Sequence, residues 1–242
     1  MHVSALFRYP IKGMAGEACQ HYSLIPGHAI PCDRRSALMR ADRPLTHTTD
    51  WAPKRHFMQG MYTTLLSQIA IDWSPEYAAF GLGTHQLTLP RPVESGSDLP
   101  DWLAQLDPSL PPLTLVSRDQ GWADLAQPLW SIINLSTVQA IAEATGTQPN
   151  PARYRGNLLL EGAAAYEELT WINRTLRLGS VLCRVVEPIV RCKATEVNWS
   201  GSRDAGFLDR LETVSPDLVC GVYVETLTGG QISINDRLEL LP

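Results

Sequence analysis

The chain has 242 residues, 44% of them hydrophobic and 19% charged, with a formal net charge of −5 and a pI near 5.7. That length and apolar share are those of a globular protein with a substantial core, built as one large domain or two smaller ones. The acidic balance argues against general nucleic-acid binding but leaves room for a local basic pocket, and no apolar run approaches the ~20 residues of a membrane span.

Residues 3–9 form a short apolar and aromatic run closed by Pro10, which predicts a first strand. A glycine-containing turn follows at residues 11–16, with Lys12 and Gly13 at its start. Glycine lets backbone amides approach an anion closely, so the pair can cradle a phosphate or simply form a surface turn. Asp33, Arg34 and Arg35 lead into the next apolar run. One arginine is expected to pair with Asp33 and the other to face a ligand, since the guanidinium fork matches carboxylate and phosphate alike. Residues 40–60 read as a loop, residues 61–73 as a helix with Leu65, Leu66, Ile69 and Ala70 on one face, and residues 85–89 as a strand. The stretch 93–112, rich in Pro, Gly, Ser and Asp, reads as an inter-domain connection with a single helical turn near 102–106.

Beyond it, residues 113–117 and 130–135 predict strands, the second meeting Ser136 at the head of a helix that ends at Gly146. A strand running into a serine-capped helix is also an anion-binding geometry, although capping alone accounts for Ser136. Arg155 and Asn157 precede a strand at 158–160; on an extended chain they share a face, suiting either a polar ligand or water. Residues 188–192 read as an apolar strand ending in Arg191 and Cys192, followed by a short strand and a polar loop over 199–206. A thiol beside a guanidinium at the break of a strand is where a reachable thiolate would be stabilised. The competing reading is a small buried hydrophobe, and core roles are expected for Cys19, Cys32, Cys183 and Cys220. The five cysteines form no CxxC pair, and their odd number, with no charged and apolar leader at residues 1–10, leads us to expect free thiols in a reducing, cytoplasmic setting. Residues 219–241 close the chain as two or three strands with hairpin turns.

In this order the pieces resemble the MOSC family, the molybdenum-cofactor sulfurase C-terminal domain. The marks in the first half are Tyr-Pro-Ile-Lys-Gly at 9–13, Asp33-Arg34-Arg35 and Trp-Ala-Pro-Lys at 51–54. In the second half they are Ile-Asn-Leu-Ser at 133–136, Arg-Tyr-Arg-Gly-Asn at 153–157, Pro-Ile-Val-Arg-Cys at 188–192 and the Gly-Gly…Ile-Asn-Asp ending. The resemblance implies a β-rich α+β fold, with an N-terminal barrel-like domain (1–112) packed on a C-terminal MOSC β-barrel (113–242), as in two-domain bacterial members and the mitochondrial amidoxime-reducing components. It implies a molybdopterin-type molybdenum cofactor between the domains, with Cys192 as thiolate ligand and reactive centre. Arg191 would keep the thiol ionised, Lys12, Arg34 and Arg155 would clamp the phosphate beside Gly13, and Ser136 and Asn157 would bond the pterin or phosphate end. The chain departs from relatives at Gly13, where many have serine, and at Val190, which is polar in the mitochondrial members.

The activity this implies is reduction of small N-hydroxylated compounds, with electrons from an external ferredoxin- or flavin-type reductase. No pyridoxal phosphate or iron–sulfur site, no nucleic acid and no membrane are expected. Asp204 is a candidate acid, or a salt-bridge partner. The alternatives are a non-catalytic carrier of the cofactor and a sulfur carrier through a persulfide on Cys192.

Overall fold

The computed structural model describes residues 1–44, 51–198, 201–215 and 217–241. The expected loops at 40–60 and 199–206 therefore lie partly outside the described residues. The first half contains β1 (His2–Arg8), β2 (Ile11–Lys12), β3 (Glu17–Cys19), β4 (His21–Leu24), β5 (Ser36–Arg40), α1 (Leu65–Gln68), β6 (Ala70–Trp73), β7 (Tyr77–Leu82), β8 (His85–Pro90) and α2 (Leu99–Leu106). The second contains β9 (Leu113–Ser117), β10 (Trp130–Asn134), α3 (Leu135–Thr145), β11 (Leu158–Glu161), β12 (Thr175–Leu178), β13 (Val181–Val190), α4 (Phe207–Val214), β14 (Val219–Thr226), β15 (Gly230–Ser233) and β16 (Leu238–Leu240). This is the β-rich α+β architecture expected.

The largest sheet has eight strands in the order β16-β12-β13-β14-β10-β11-β1-β3. Backbone bonds from Val3 to Asp236 (2.9 Å) and from Leu238 to Met1 (3.0 Å) join β1 to the chain entering β16, so the sheet curls until one end strand meets the strand next to the other end. Inside lies an aliphatic core that includes Val3, Leu6, Ile132, Leu178, Val185 and Val222, supplied by the alternate inward positions of each strand. A second core, containing Ile11, Leu38, Leu66, Phe80 and Trp102, sits under β6-β7-β8 and β2-β5-β9.

The hydrogen-bonded sheets cross the expected boundary at 112/113. β1 and β3 belong to the large sheet, β4 pairs with β15, and β9 pairs with β5. Glu17 adds a polar tie, accepting from Arg8 at 2.6 Å and from Arg91 at 2.8 Å. The helix expected over 61–73 is one turn, α1, followed by β6; Ile69, Ile71 and Trp73 are residues that suit a pleated surface, and pairing with β7 overrides the helical spacing. The expected connection at 93–112 contains the eight-residue α2, whose Leu99, Trp102 and Leu103 are buried. The strand β7 and the helix α4 carried no signal we read from the sequence.

Strand β13 sets the site. Its register shifts between Val185 and Glu187 and again between Pro188 and Val190. Such bulges accommodate a proline that has no N–H to donate and re-aim the residues after it, here Arg191 and Cys192. Opposite, Gly221 has φ 82°, and a Cβ there would lie 2.5 Å from the Ile132 carbonyl and 3.4 Å from the Arg191 guanidinium. Gly221→Ala is expected to lower unfolding stability by about 2–3 kcal/mol, combining left-handed strain with overpacking. Gly27→Ala, also at positive φ but with nothing within 4 Å of its Cβ, should cost about 1–2 kcal/mol. Urea unfolding of both variants checks the ranking, and equal losses would show that the close approach at Gly221 is relieved cheaply.

Candidate functional site

A cleft opens where the two cores meet, and most of the residues singled out in the sequence line it. Lys12, Gly13, Arg34, Arg155, Asn157, Arg191 and Cys192 are all on its walls. So are Lys54, Arg153 and Asp124, making six cationic side chains and one carboxylate. A basic pocket in an acidic protein is therefore built by bringing scattered single cations together, not by a basic run.

The cationic wall is tightly organised. The Lys12 ammonium, 3% exposed, donates to the Trp122 carbonyl (2.7 Å) and to Asp124. Burial pushes its pKa down, against the pull of Asp124. Burial would raise Asp124 in turn, but the charge of Lys12 prevails and holds the carboxyl well below the usual range; its side chain stays 42% exposed on the cleft. Arg34 and Arg155 flank the ring of buried Tyr9, with guanidinium carbons 4.9 and 4.2 Å from its centroid. Arg34 also pairs with Asp33, while Arg35 turns away to Glu94 and Asp119 at 2.7 Å each. One arginine thus fills both of the roles that the sequence divided between two. Burial lowers Arg155 to about 10, with Tyr9 opposing and Arg34 adding to the shift.

Arg155 is not on an extended strand. Its φ of 53° puts it in a left-handed turn at the end of the 3₁₀ segment Pro151–Tyr154, and this turn brings it to the cleft with Asn157. Gly13, at φ 87°, makes the turn after Lys12; a Cβ there would sit 2.8 Å from the Met58 carbonyl, so packing as well as conformation requires glycine.

Cys192 is partly exposed at the end of β13 and caps the 3₁₀ turn Lys193–Glu196, where its carbonyl accepts from the Thr195 hydroxyl at 2.7 Å. The expected short strand after it is this turn. The cation whose charge is coupled to its sulfur is Lys54, on the same cleft: burial disfavours the ammonium, but the Cys192 sulfur and Asp124 outweigh that and raise its pKa. Arg191, adjacent in sequence, points inward and donates to the Tyr154 carbonyl (2.9 Å) and, through two nitrogens, to that of Cys220. The sequence signal available for Lys54 was only the Trp-Ala-Pro-Lys segment; Trp51 anchors it by donating to the Ala123 carbonyl at 3.0 Å.

Asn157, 1% exposed, has its bonds inside the fold. Its side-chain oxygen accepts from the Ser131 hydroxyl (2.9 Å) and amide (3.2 Å), and its amide donates to the Phe7 carbonyl (3.2 Å). Ser136 lies outside the cleft. The cap of α3 is Asn134, whose side chain accepts from the Ser136 amide, so Ser136 is inside the helix and not at its head. Asp204 pairs with Arg153 (3.3 Å) and Arg210 (2.7 Å), the salt-bridge role. Of the remaining cysteines, Cys183 and Cys220 are buried and burial pushes both thiols up to about 12; Cys19 is half-buried, and Cys32, expected in the core, is exposed.

Among the described residues no cluster of three or more His, Cys, Asp or Glu could hold a bare metal ion. A single accessible thiol above a cationic wall fits a metal that arrives with its own ligands and an anionic tail. The enclosed part of the cleft measures about 100 Å³, small beside the ~300–1,000 Å³ of ligand pockets, so a pterin-sized group requires the walls to part.

The MOSC domain family model matches residues 126–239. Among solved structures, the YuaD protein of Bacillus subtilis is similar at 11% identity, over 99% of this chain and 94% of that one, with a TM-score of 0.45. YiiM from Geobacillus stearothermophilus matches at 17% identity over 47% of this chain and 54% of its own, TM-score 0.38. YiiM from Escherichia coli matches at 18% over the same shares, TM-score 0.36. The chain thus spans about half the length of the YiiM structures it matches. A comparison with curated proteins gives no match. No helix among the described residues is long and apolar enough to cross a membrane.

The Lys12–Asp124 pair yields a test. Asp124→Asn leaves Lys12 buried without its charge partner and should cost about 1–3 kcal/mol at pH 7, below the ~3–5 of a fully buried pair because solvent reaches Asp124. Asp124 has a depressed pKa, so its contribution is complete above the ordinary carboxylate range and fades as pH falls below it. Urea unfolding at pH 7 and pH 3 should therefore show the gap between wild type and variant narrowing in acid; a constant gap would contradict the assignment.

Proposed function

We propose, from the premise that residues 126–239 are a MOSC domain, a family associated with the molybdenum cofactor, that this protein binds that cofactor in the cleft and reduces small N-hydroxylated compounds. The observation that carries the reading is the placement of Cys192 in a cleft with six cations, Lys54 among them, and one carboxylate. Lys12, Arg34 and Arg155 would hold the phosphate, which competes with Asp124 for Lys12. Cys192 would supply the one protein thiolate, and soft sulfur suits molybdenum already held by dithiolene sulfurs. When bound, the cofactor supplies the two-electron, oxygen-removing chemistry.

The chain's own residues supply orientation and a proton. Arg191 anchors the end of β13 through the Tyr154 and Cys220 carbonyls, fixing the direction of Cys192. Lys54 stays protonated beside the sulfur and can donate where the N–O bond breaks; Asp124, held ionised, is not a proton donor at neutral pH. In balance, R–NH–OH takes two electrons and two protons to give R–NH₂ and water, with the electrons coming from an external ferredoxin- or flavin-type reductase.

Protein from a cofactor-competent host should carry near-stoichiometric molybdenum and pterin, with a loss of tenfold or more in Cys192→Ser. An artificial low-potential donor should then drive amidoxime reduction by the wild type. Cofactor retained without turnover would indicate a carrier. Molybdenum absent from both proteins, with cyanide-labile sulfur on Cys192, would replace the reading with sulfur transfer.

A further inference from the structure

The wall of the cleft beside Cys192 differs from the cationic wall. Successive side chains of an extended segment alternate between faces, so Val190 and Cys192 share one face while Ile189 and Arg191 share the other. The exposures follow this alternation: Ile189 and Arg191 are 4% and 8% exposed, whereas Val190 is 63% exposed, the most open of the large hydrophobic residues described. The bulge at Pro188 and Val190 places this side chain on the cleft, and it has no packing role that would explain a bare β-branched residue there. Leu125, half-buried on the loop that carries Asp124, and Leu129 line the same cleft.

The thiol therefore has an exposed apolar neighbour on its own face of the strand, in a cleft otherwise rich in cations. We infer that Val190, with Leu125 on the same cleft, forms an apolar shelf that selects substrates whose reacting polar group carries an aryl or branched alkyl body. The inference rests on the reading above in one respect, that the polar group reacts on the Cys192 side. An aryl group laid on the shelf takes apolar surface from water on both partners, while a methyl group reaches little of it.

The test compares benzamidoxime with acetamidoxime on the full chain loaded with cofactor, measuring Kd by calorimetry and kcat/KM with a chemical donor. Wild type should prefer the aryl compound about tenfold or more in both. Val190→Ser should cut that preference about three- to tenfold through Kd and KM, leaving acetamidoxime unchanged, while Val190→Leu retains it. Ile25→Ser, another exposed apolar position (59%) that does not line this cleft, should change nothing. Equal losses for both compounds, no aryl preference, or an effect of Val190→Ser confined to the KM of a protein electron donor would overturn the shelf. If neither compound is reduced, the proposed reduction fails, and the Kd ratio with its dependence on Val190 still decides the shelf. If both are reduced with equal kcat/KM, the reduction stands and the shelf falls.

Discussion

The buried guanidinium of Arg191 holds the Cys192 and Arg155 sides of the site in register. It spans from the end of β13 to the carbonyls of Tyr154 and Cys220, and each of these positions controls something beyond itself. Cys192 is its chain neighbour, Arg155 follows Tyr154, and Gly221 follows Cys220 with no side chain because the Ile132 carbonyl and the Ile133 side chain leave a Cβ no room. A charge this buried persists because its donors are engaged, and leaving them unpaired would cost the full desolvation penalty. The arrangement thus fixes the thiol and the cleft arginine Arg155 by one set of bonds.

The cationic wall works by a different balance. Gathering Lys12, Arg34, Lys54 and Arg155 in one cleft is unfavourable unless negative charge compensates them, and within the protein that charge comes from Asp33 and Asp124. Tyr9 contributes by offering its ring faces to two guanidinium groups. Asp124 is the more exposed partner of its pair, so an incoming anionic group meets a site already organised for negative charge. This is preorganisation in an electrostatic sense, and it explains why a protein with a net charge of −5 contains so positive a cleft.

Interleaving of the chain supports both features. Because β1 and β3 pair within the large sheet and β9 pairs with β5, the walls of the cleft are tied by backbone as well as by side chains. Lys12 and Lys54 come from the first half, and Arg155 and Cys192 from the second, so the site exists only where the two meet.

The sequence by itself determined most strands, the helix ending at Gly146, and seven of the cleft-lining residues, because alternation, turn chemistry and motif order are local properties of the chain. It also marked Cys192 as the thiol to watch. Local properties misled where pairing decides the outcome: Ala70, Ile71 and Trp73 read as part of a helix until β7 lies beside them. Adjacency misled in the same way, since Arg191 turns inward to the Tyr154 and Cys220 carbonyls while Lys54, far away in sequence, is the cation whose charge the sulfur supports. Ser136 looked like a helix cap because it follows an apolar strand, but Asn134 is the residue whose backbone leaves the strand at the capping angle. Which side chains face one another, which cation meets the thiol and which apolar residue stays in water depend on non-local pairing and on bulges that re-aim a strand. Only the tertiary structure could decide these.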